Sequence, residues 1–61
     1  MIWFRVYGEY GPQAGDSVER KILAKNRDRA LDIFEDYARK IIGDWTYENR
    51  MGRRNIYVEK I

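Results

Sequence analysis

The side chains that most often carry catalysis are missing from this chain. It contains no histidine and no cysteine, which removes the commonest proton-transfer group and the commonest thiolate nucleophile. Ser17 is the only serine and Thr46 the only threonine, and neither is spaced for activation by a nearby base. Gly8, Gly11 and Gly15 precede a predicted strand rather than a helix, so they do not form a phosphate-binding loop. We therefore expect a non-enzymatic protein that uses no cofactor.

Three aspartates recur at intervals of four residues in the middle of the chain. Asp28, Asp32 and Asp36 would lie along one face of a helix. Clustered carboxylate oxygens are the ligands that calcium and magnesium prefer, but a single helix face seldom surrounds a cation unaided. Basic residues also flank these positions. We expect a solvated acidic face and no metal site.

Two predicted strands position the residues that could bind a partner. The run from Ile2 to Tyr10 alternates with the period of a strand. Its apolar side holds Ile2, Phe4, Val6 and Tyr10 with Gly8 among them, and its other side holds Trp3, Arg5, Tyr7 and Glu9. An open loop follows, and a second strand runs from about Ser17 to Lys25. Its core side holds Val18, Ile22 and Ala24 with Arg20 near a sheet edge, and its other side holds Glu19, Lys21, Leu23 and Lys25.

An amphipathic helix is predicted over residues 27–42. Asn26 can accept a hydrogen bond from an amide of the first turn, and Gly43 supplies a left-handed stop. The apolar residues follow helical spacing and form one stripe. The stripe consists of Ala30, Ile33, Phe34, Tyr37, Ala38 and Ile41, flanked by Leu31 and Ile42.

The last third of the chain is less regular. Residues 55–61 read as a strand in which Ile56 and Val58 are separated by Tyr57. Residues 44–49 also alternate, so they could pair with that strand through a turn near residues 51–52. The alternative is a lid that tucks Trp45 against the end of the helix. We favour the additional strand.

These elements predict a single α+β domain over residues 1–61. Its antiparallel sheet has three strands, or four if residues 44–49 join it, with one amphipathic helix packed on one face (ββαβ or ββαββ). A helix that returns across the sheet lets the last strand lie beside the first. The expected strand order is second, first, last.

The uncovered face of this sheet is the predicted binding surface. It would present Trp3, Arg5, Tyr7, Lys21, Lys25 and Tyr57. Aromatic rings interleaved with cations can stack on bases while phosphates are neutralised. A basic cluster before and within the last strand would extend this surface, and it consists of Arg50, Arg53, Arg54 and Lys60. The same face could instead bury its rings in a homodimer, or the rings could simply pack against their cross-strand neighbours.

Several segments resemble archaeal large-subunit ribosomal protein LX. The run Phe4-Arg5-Val6-Tyr7-Gly8 is similar to the first strand of that family. Ala24-Lys25-Asn26 followed by Ala30 resembles its second strand and the start of its helix. Residues 53–61, which read Arg-Arg-Asn-Ile-Tyr-Val-Glu-Lys-Ile, resemble its closing strand. The resemblance implies contact with ribosomal RNA, chiefly through Arg53 and Arg54.

Two functional hypotheses follow from the sequence. The first is an RNA-binding or ribosome-associated module. The second is a protein-interaction module, either a homodimer or a small adaptor or inhibitor of the kind that mobile genomes encode, with Trp3, Tyr7, Leu23 and Tyr57 as buried anchors. We expect a cytoplasmic protein with no membrane contact, because the chain lacks cysteine, a recognisable signal peptide and a long apolar stretch.

Overall fold

A computed structural model, which describes residues 1–61, shows one antiparallel sheet with a long helix on one of its faces. The strands are β1 (Ile2–Glu9), β2 (Ser17–Ala24) and β3 (Ile56–Lys60), and the long helix is α1 (Arg27–Ile42). The strand order is β2-β1-β3. The predicted α+β class and the predicted order of the strands are both confirmed.

The strand alternation places the apolar residues under the helix as predicted. Phe4 and Val6 of β1 and Ile22 of β2 are buried, whereas their sequence neighbours face away from α1. β2 forms one edge of the sheet, where the guanidinium of Arg20 lies 4.6 Å from the centre of the Tyr37 ring. The long arginine side chain therefore packs over the core edge while its head stays near water.

The ends of α1 follow from local chemistry. The backbone amide of Arg29 donates to the side chain of Asn26 at 2.9 Å, which satisfies one of the free amides of the first turn. Gly43 has a φ of 86° and donates its amide to the carbonyl of Arg39 at 2.8 Å. Both predicted helix ends are confirmed.

The buried side of α1 is narrower than the predicted stripe. Ala30, Phe34 and Ala38 are fully buried, and Leu31 joins them. Ile33 and Ile41 were placed in the stripe, but they are 44% and 58% exposed. A sheet of only three strands does not reach under both sides of the helix, so the outer residues of the stripe face water.

The fourth strand predicted for residues 44–49 is wrong. A short helix, α2 (Asp44–Thr46), is followed by a π-helical turn (Tyr47–Met51) and a 3₁₀ turn (Arg53–Asn55). We call residues 44–55 the connecting segment. It closes over the core as the alternative lid would, but it does so through Tyr47 and Met51, while Trp45 is 66% exposed.

The connecting segment packs against β1 at Gly8, where the strand has no side chain. A Cβ atom placed on Gly8 would lie 2.6 Å from the sulfur of Met51, so any larger residue here would force this side chain to shift. Met51 is fully buried as a result. None of the helices combines the length and the apolar composition that a membrane crossing requires.

Candidate functional site

The face of the sheet that α1 leaves uncovered, which we call the open face, contains three rows of side chains that span all three strands, and Glu9 and Ser17 lie beyond them at one end. Residues directly opposite each other on antiparallel strands point to the same side, so the register of β1 with β2 and β3 defines the rows. The rows run from β2 across β1 to β3: Leu23, Trp3 and Ile61; Lys21, Arg5 and Glu59; Glu19, Tyr7 and Tyr57. The last member of the first row is fixed by the amide of Ile61, which donates to the carbonyl of Trp3 at 3.1 Å.

The first row is an exposed apolar patch. Trp3 is 52% exposed, and its neighbours Leu23 and Ile61 are 42% and 58% exposed. Three large apolar side chains in one row, each about half exposed, are more than isolated surface residues. Such a row is typical of a surface that another molecule covers.

Arg5, at the centre of the middle row, lies between two carboxylates, Glu59 of its own row and Glu19 of the third row. The Nε atom of Arg5 lies 3.4 Å from a carboxylate oxygen of Glu19, and its Nη1 atom lies 3.6 Å from one of Glu59. Both partners are exposed, so these ion pairs contribute little to folding stability. Their effect is to hold the guanidinium between its neighbours and to cancel its charge locally.

The third row carries a pair of stacked tyrosines. Tyr7 and Tyr57 are directly opposite each other on β1 and β3. Their ring centres are 5.0 Å apart and their planes differ by 28°. The rings shield each other along one side and remain partly exposed on the other, which adds a second aromatic area to the open face.

The charge of the open face does not favour an anionic ligand. Within the strands it carries the cations Arg5 and Lys21 and the carboxylates Glu9, Glu19 and Glu59. The carboxylates therefore outnumber the cations. Lys25 lies just beyond the end of β2, beside the start of α1, and adds one charge at the margin.

The predicted basic cluster is not assembled on the open face. Arg53 lies on the side of α1, where its Nη2 atom donates to Asp32 at 2.8 Å and to Glu35 at 3.4 Å. Lys60 is paired with Phe4, so it points to the helix side of the sheet. These two cations are thus separated from Trp3 by the thickness of the sheet.

The other two members of that cluster lie in the connecting segment. Arg54 is exposed in the 3₁₀ turn, and Arg50 is exposed beside the loop between β1 and β2. The carbonyl of Arg50 accepts a hydrogen bond from the side chain of Asn55 at 3.1 Å. The ten residues predicted to bind nucleic acid therefore divide into an open-face group and a dispersed group of cations.

A polar network behind the sheet fixes the connecting segment to α1. The hydroxyl of Tyr47 donates to the carboxylate of Glu35 at 2.7 Å, and this hydrogen bond, with help from Arg53, lowers the pKa of Glu35. Burial, and then the bond to Glu35, raise the pKa of Tyr47 to about 12. The guanidinium of Arg39 lies 4.5 Å from the centre of the Tyr47 ring. This network is structural, since its groups face each other rather than a cleft.

Ile61 is the open-face residue that the sequence-based prediction missed. The alternation of β3 places Tyr57, Glu59 and Ile61 on the same side, so the signal was present. Alternation also places Glu19 and Glu59 on this side of β2 and β3, but their position on either side of Arg5 depends on the register of all three strands.

The open face can therefore offer apolar and aromatic contact area around a group of charges that nearly cancel. No protein-family model, curated protein or solved structure significantly matches the chain.

Proposed function

We propose that this chain is a non-enzymatic protein-interaction module that binds its partner through the open face. One observation carries the proposal: large aromatic and apolar side chains are exposed on a face whose carboxylates and cations nearly cancel. Aromatic residues dominate the energetics of protein interfaces, and such interfaces are depleted in net charge at their centre. A nucleic acid would instead require a positive surface.

The arrangement of the rows supports a partner that covers the whole face. Trp3 and the pair formed by Tyr7 and Tyr57 lie at the two ends of β1, with Arg5 between them. The rings at both ends are rigid, and Arg5 in the middle is already ion-paired within the chain. A partner can therefore contact this area at little cost in side-chain entropy. We therefore expect Trp3 to be the main anchor.

Affinity capture with a matched tryptophan control tests this proposal. Trp3→Ala removes the anchor, whereas Trp45→Ala removes the other exposed tryptophan, which lies in the connecting segment away from the open face. Tagged wild-type protein and the Trp45→Ala variant are expected to retain the same proteins from nuclease-treated lysate of the source cells. The Trp3→Ala variant is expected to lose them. Equal retention by all three proteins would contradict binding through the open face.

RNA binding is the second candidate function. The observation that favours it is the position of Trp3 in the row next to Arg5 and Lys21, which allows base stacking beside cations. The resemblance to archaeal ribosomal protein LX points in the same direction. Among the cations predicted to bind nucleic acid, Arg5 and Arg53 are each paired with two carboxylates. The other five form no ion pair, are exposed and are available to phosphates: Lys21, Lys25, Arg50, Arg54 and Lys60.

The salt dependence of binding separates the two candidates. If RNA is the ligand, fluorescence anisotropy with a labelled RNA should give an affinity that falls steeply with salt. Replacing Lys21 or Arg54 with alanine should reduce the salt slope by about 1 for each phosphate that the variant no longer neutralises. Binding that survives high salt, or that is unchanged by both replacements, would exclude the RNA candidate.

A further inference from the structure

The open face has a charge pattern that is complementary to itself. In the middle row, Lys21 of β2 and Glu59 of β3 lie on opposite sides of Arg5. In the first row, Leu23 and Ile61 lie on opposite sides of Trp3. Each of these two rows thus has one edge that could pair with its own other edge.

A two-fold rotation about an axis parallel to β1 would join these edges. When a second copy faces the first across such an axis, the edges exchange and the rows stay aligned. Lys21 then meets the partner's Glu59, Leu23 meets the partner's Ile61, and Trp3 meets the partner's Trp3. Because of the two-fold symmetry, each edge contact occurs twice, so the dimer has two Lys21–Glu59 ion pairs.

From this pattern we propose that the open face is the interface of a symmetric homodimer with its two-fold axis parallel to β1. The inference rests on the proposed function, because it names a second copy of this chain as the protein that covers the open face. Opposite charges meet across both edges, and the apolar first rows meet each other. The complementarity fixes the orientation of the two copies as well as their contact.

The other face-to-face arrangement is disfavoured by the same charges. With the two-fold axis perpendicular to β1, the rows would reverse while the edges stayed in place. Lys21 would then face the partner's Lys21, and Glu59 would face the partner's Glu59. Like charges that face each other across an interface raise its free energy, so the arrangement with the axis perpendicular to β1 is disfavoured.

The arginine on the axis does not prevent this dimer. Arg5 would face the partner's Arg5, but each guanidinium is held 3.4 Å and 3.6 Å from two carboxylates of its own chain. Each copy therefore brings an arginine whose charge is already balanced. In this dimer, Glu19 and Glu59 reduce the repulsion between the two Arg5 side chains.

The twist of the sheets leaves these contacts within reach. Packed sheets cross at about 30° and lie about 10 Å apart. Since neighbouring strands are about 4.8 Å apart, a crossing centred on Arg5 displaces the edge residues of its row by only about 2.5 Å. Lysine and glutamate side chains can span that offset.

The size of the face predicts a dimer of modest affinity. Eight residues of strand and three strands give a face of roughly 26 Å by 14 Å. The flat area is therefore about 360 Å² per copy, below the roughly 800 Å² per partner of a standard interface, so the dimer should be weak and dissociate on dilution. Analytical ultracentrifugation from low micromolar to millimolar concentration is therefore the suitable measurement.

Complementation between two charge-reversed variants tests both the contact and its orientation. Lys21→Glu places two carboxylates opposite each other, and Glu59→Lys places two ammonium groups opposite each other. Each variant alone should dimerise at least about tenfold more weakly than the wild type. An equimolar mixture of the two should form a heterodimer, since the reversed pair attracts at one edge and the native pair attracts at the other. Nothing within either chain changes on mixing, so restored association can come only from contacts between copies.

Lys40→Glu is the matched control for the charge reversals. Lys40 is exposed on α1, on the opposite side of the sheet, and should leave dimerisation unchanged. Circular dichroism checks that each variant is folded. A wild-type protein that stays monomeric at every concentration overturns the inference. So does a dimer that both reversals leave intact, or a mixture that stays monomeric.

Tryptophan fluorescence provides a second measurement that needs no charge reversal. In the Trp45→Phe variant, Trp3 is the only tryptophan. Its emission should shift to the blue as concentration rises, because the ring leaves water at the dimer axis. An emission maximum that does not move, with dimers present by ultracentrifugation, would place the interface elsewhere.

The two proposals fail in different ways. If the wild type is a strict monomer but Trp3→Ala still abolishes the capture of proteins from nuclease-treated lysate, the homodimer is excluded and the protein-interaction function stands. If the protein neither self-associates nor retains proteins through Trp3, both proposals are excluded.

Discussion

Tyr47 is the residue through which the connecting segment is fixed to the helix. It is only 2% exposed, and its hydroxyl donates to Glu35 at 2.7 Å. A buried hydroxyl without a partner would be costly, and here the acceptor is a carboxylate that Arg53 also contacts at 3.4 Å. One side chain therefore contributes both apolar burial and a charge-assisted hydrogen bond.

Tyr47→Phe should lower the free energy of unfolding by about 1 kcal/mol, because the ring remains while the hydrogen bond is removed. Urea unfolding followed by circular dichroism measures the change. Tyr37→Phe is the matched control, since Tyr37 packs beside the same core without a side-chain hydrogen bond and should change stability by less than about 0.5 kcal/mol. An equal loss of stability in both variants would assign the effect to packing rather than to the hydroxyl.

The raised pKa of Tyr47 predicts a loss of stability in alkaline solution. The folded state holds the phenol proton up to a pKa of about 12, whereas an unfolded tyrosine releases it near 10. The stabilisation that this pKa difference gives the folded state is fully present below pH 10. It is lost as pH rises from about 10 to 12, because only the unfolded state ionises in that window. Unfolding free energies measured across it should fall more steeply for the wild type than for Tyr47→Phe. Parallel curves would contradict this assignment.

At the scale of elements, the contact between Met51 and Gly8 joins the connecting segment to the central strand. Gly8 is paired with Val18 on one side and with Ile56 on the other, so its backbone is fixed by both neighbours. The missing side chain at this position is what lets a helical turn lie against a strand. Without that gap, residues 47–51 would have no place to bury Met51.

Gly8→Ala should destabilise the protein by about 1–3 kcal/mol, because the added methyl group would overlap the sulfur of Met51. Met51→Ala should cost about 2–5 kcal/mol by opening a cavity. The double variant should lose less stability than the sum of the two single losses, because removing the Met51 side chain makes room for the methyl group added at position 8. Gly15→Ala is the control, because nothing lies within 4 Å of an added Cβ there. Strict additivity would show that the two residues do not compete for the same space.

The elements that the sequence predicts well are those whose burial depends on their own periodicity. Alternation identified the buried side of β1, and capping by Asn26 and Gly43 located the ends of α1. The connecting segment was assigned to the wrong class because its short alternation, Asp-Trp-Thr-Tyr-Glu-Asn, also fits a strand. The spacing of four between Tyr47 and Met51 is a helical signal, but only the contact with Gly8 on a distant strand decides between the two.

The open face was predicted more completely than the basic cluster, for a related reason. The side of β1 that carries Trp3, Arg5 and Tyr7 follows from alternation alone. The position of Arg53 depends on Asp32 and Glu35, which are remote in sequence and become neighbours only when the connecting segment folds onto α1. Charges near one another in the sequence therefore did not form one surface.

At the scale of the whole molecule, a chain of 61 residues has a small core. Only 13 residues are buried, and several large apolar side chains remain exposed on the open face. A domain of this size buries a smaller share of its surface than a larger one does, so covering one face can add appreciably to its stability. Folding and association are expected to be coupled.

The melting temperature of the wild type should therefore rise with protein concentration. Once the homodimer dominates, the rise should be roughly 3–5 °C for each tenfold increase. The melting temperature of Lys21→Glu should depend less on concentration over the same range. Scanning calorimetry at several concentrations makes the comparison, and a concentration-independent wild type would show that folding does not depend on a second copy.

The position of β2 at the border of the sheet has a consequence for aggregation. Its outer backbone groups have no neighbour, so a strand from another molecule could add there and start a fibril. The consecutive charges of Glu19, Arg20 and Lys21 stand in the middle of this border and would have to lose their water before any such strand could dock. They act as gatekeepers at this edge, and replacing them with apolar residues should make β2 a site where strands of other molecules can add.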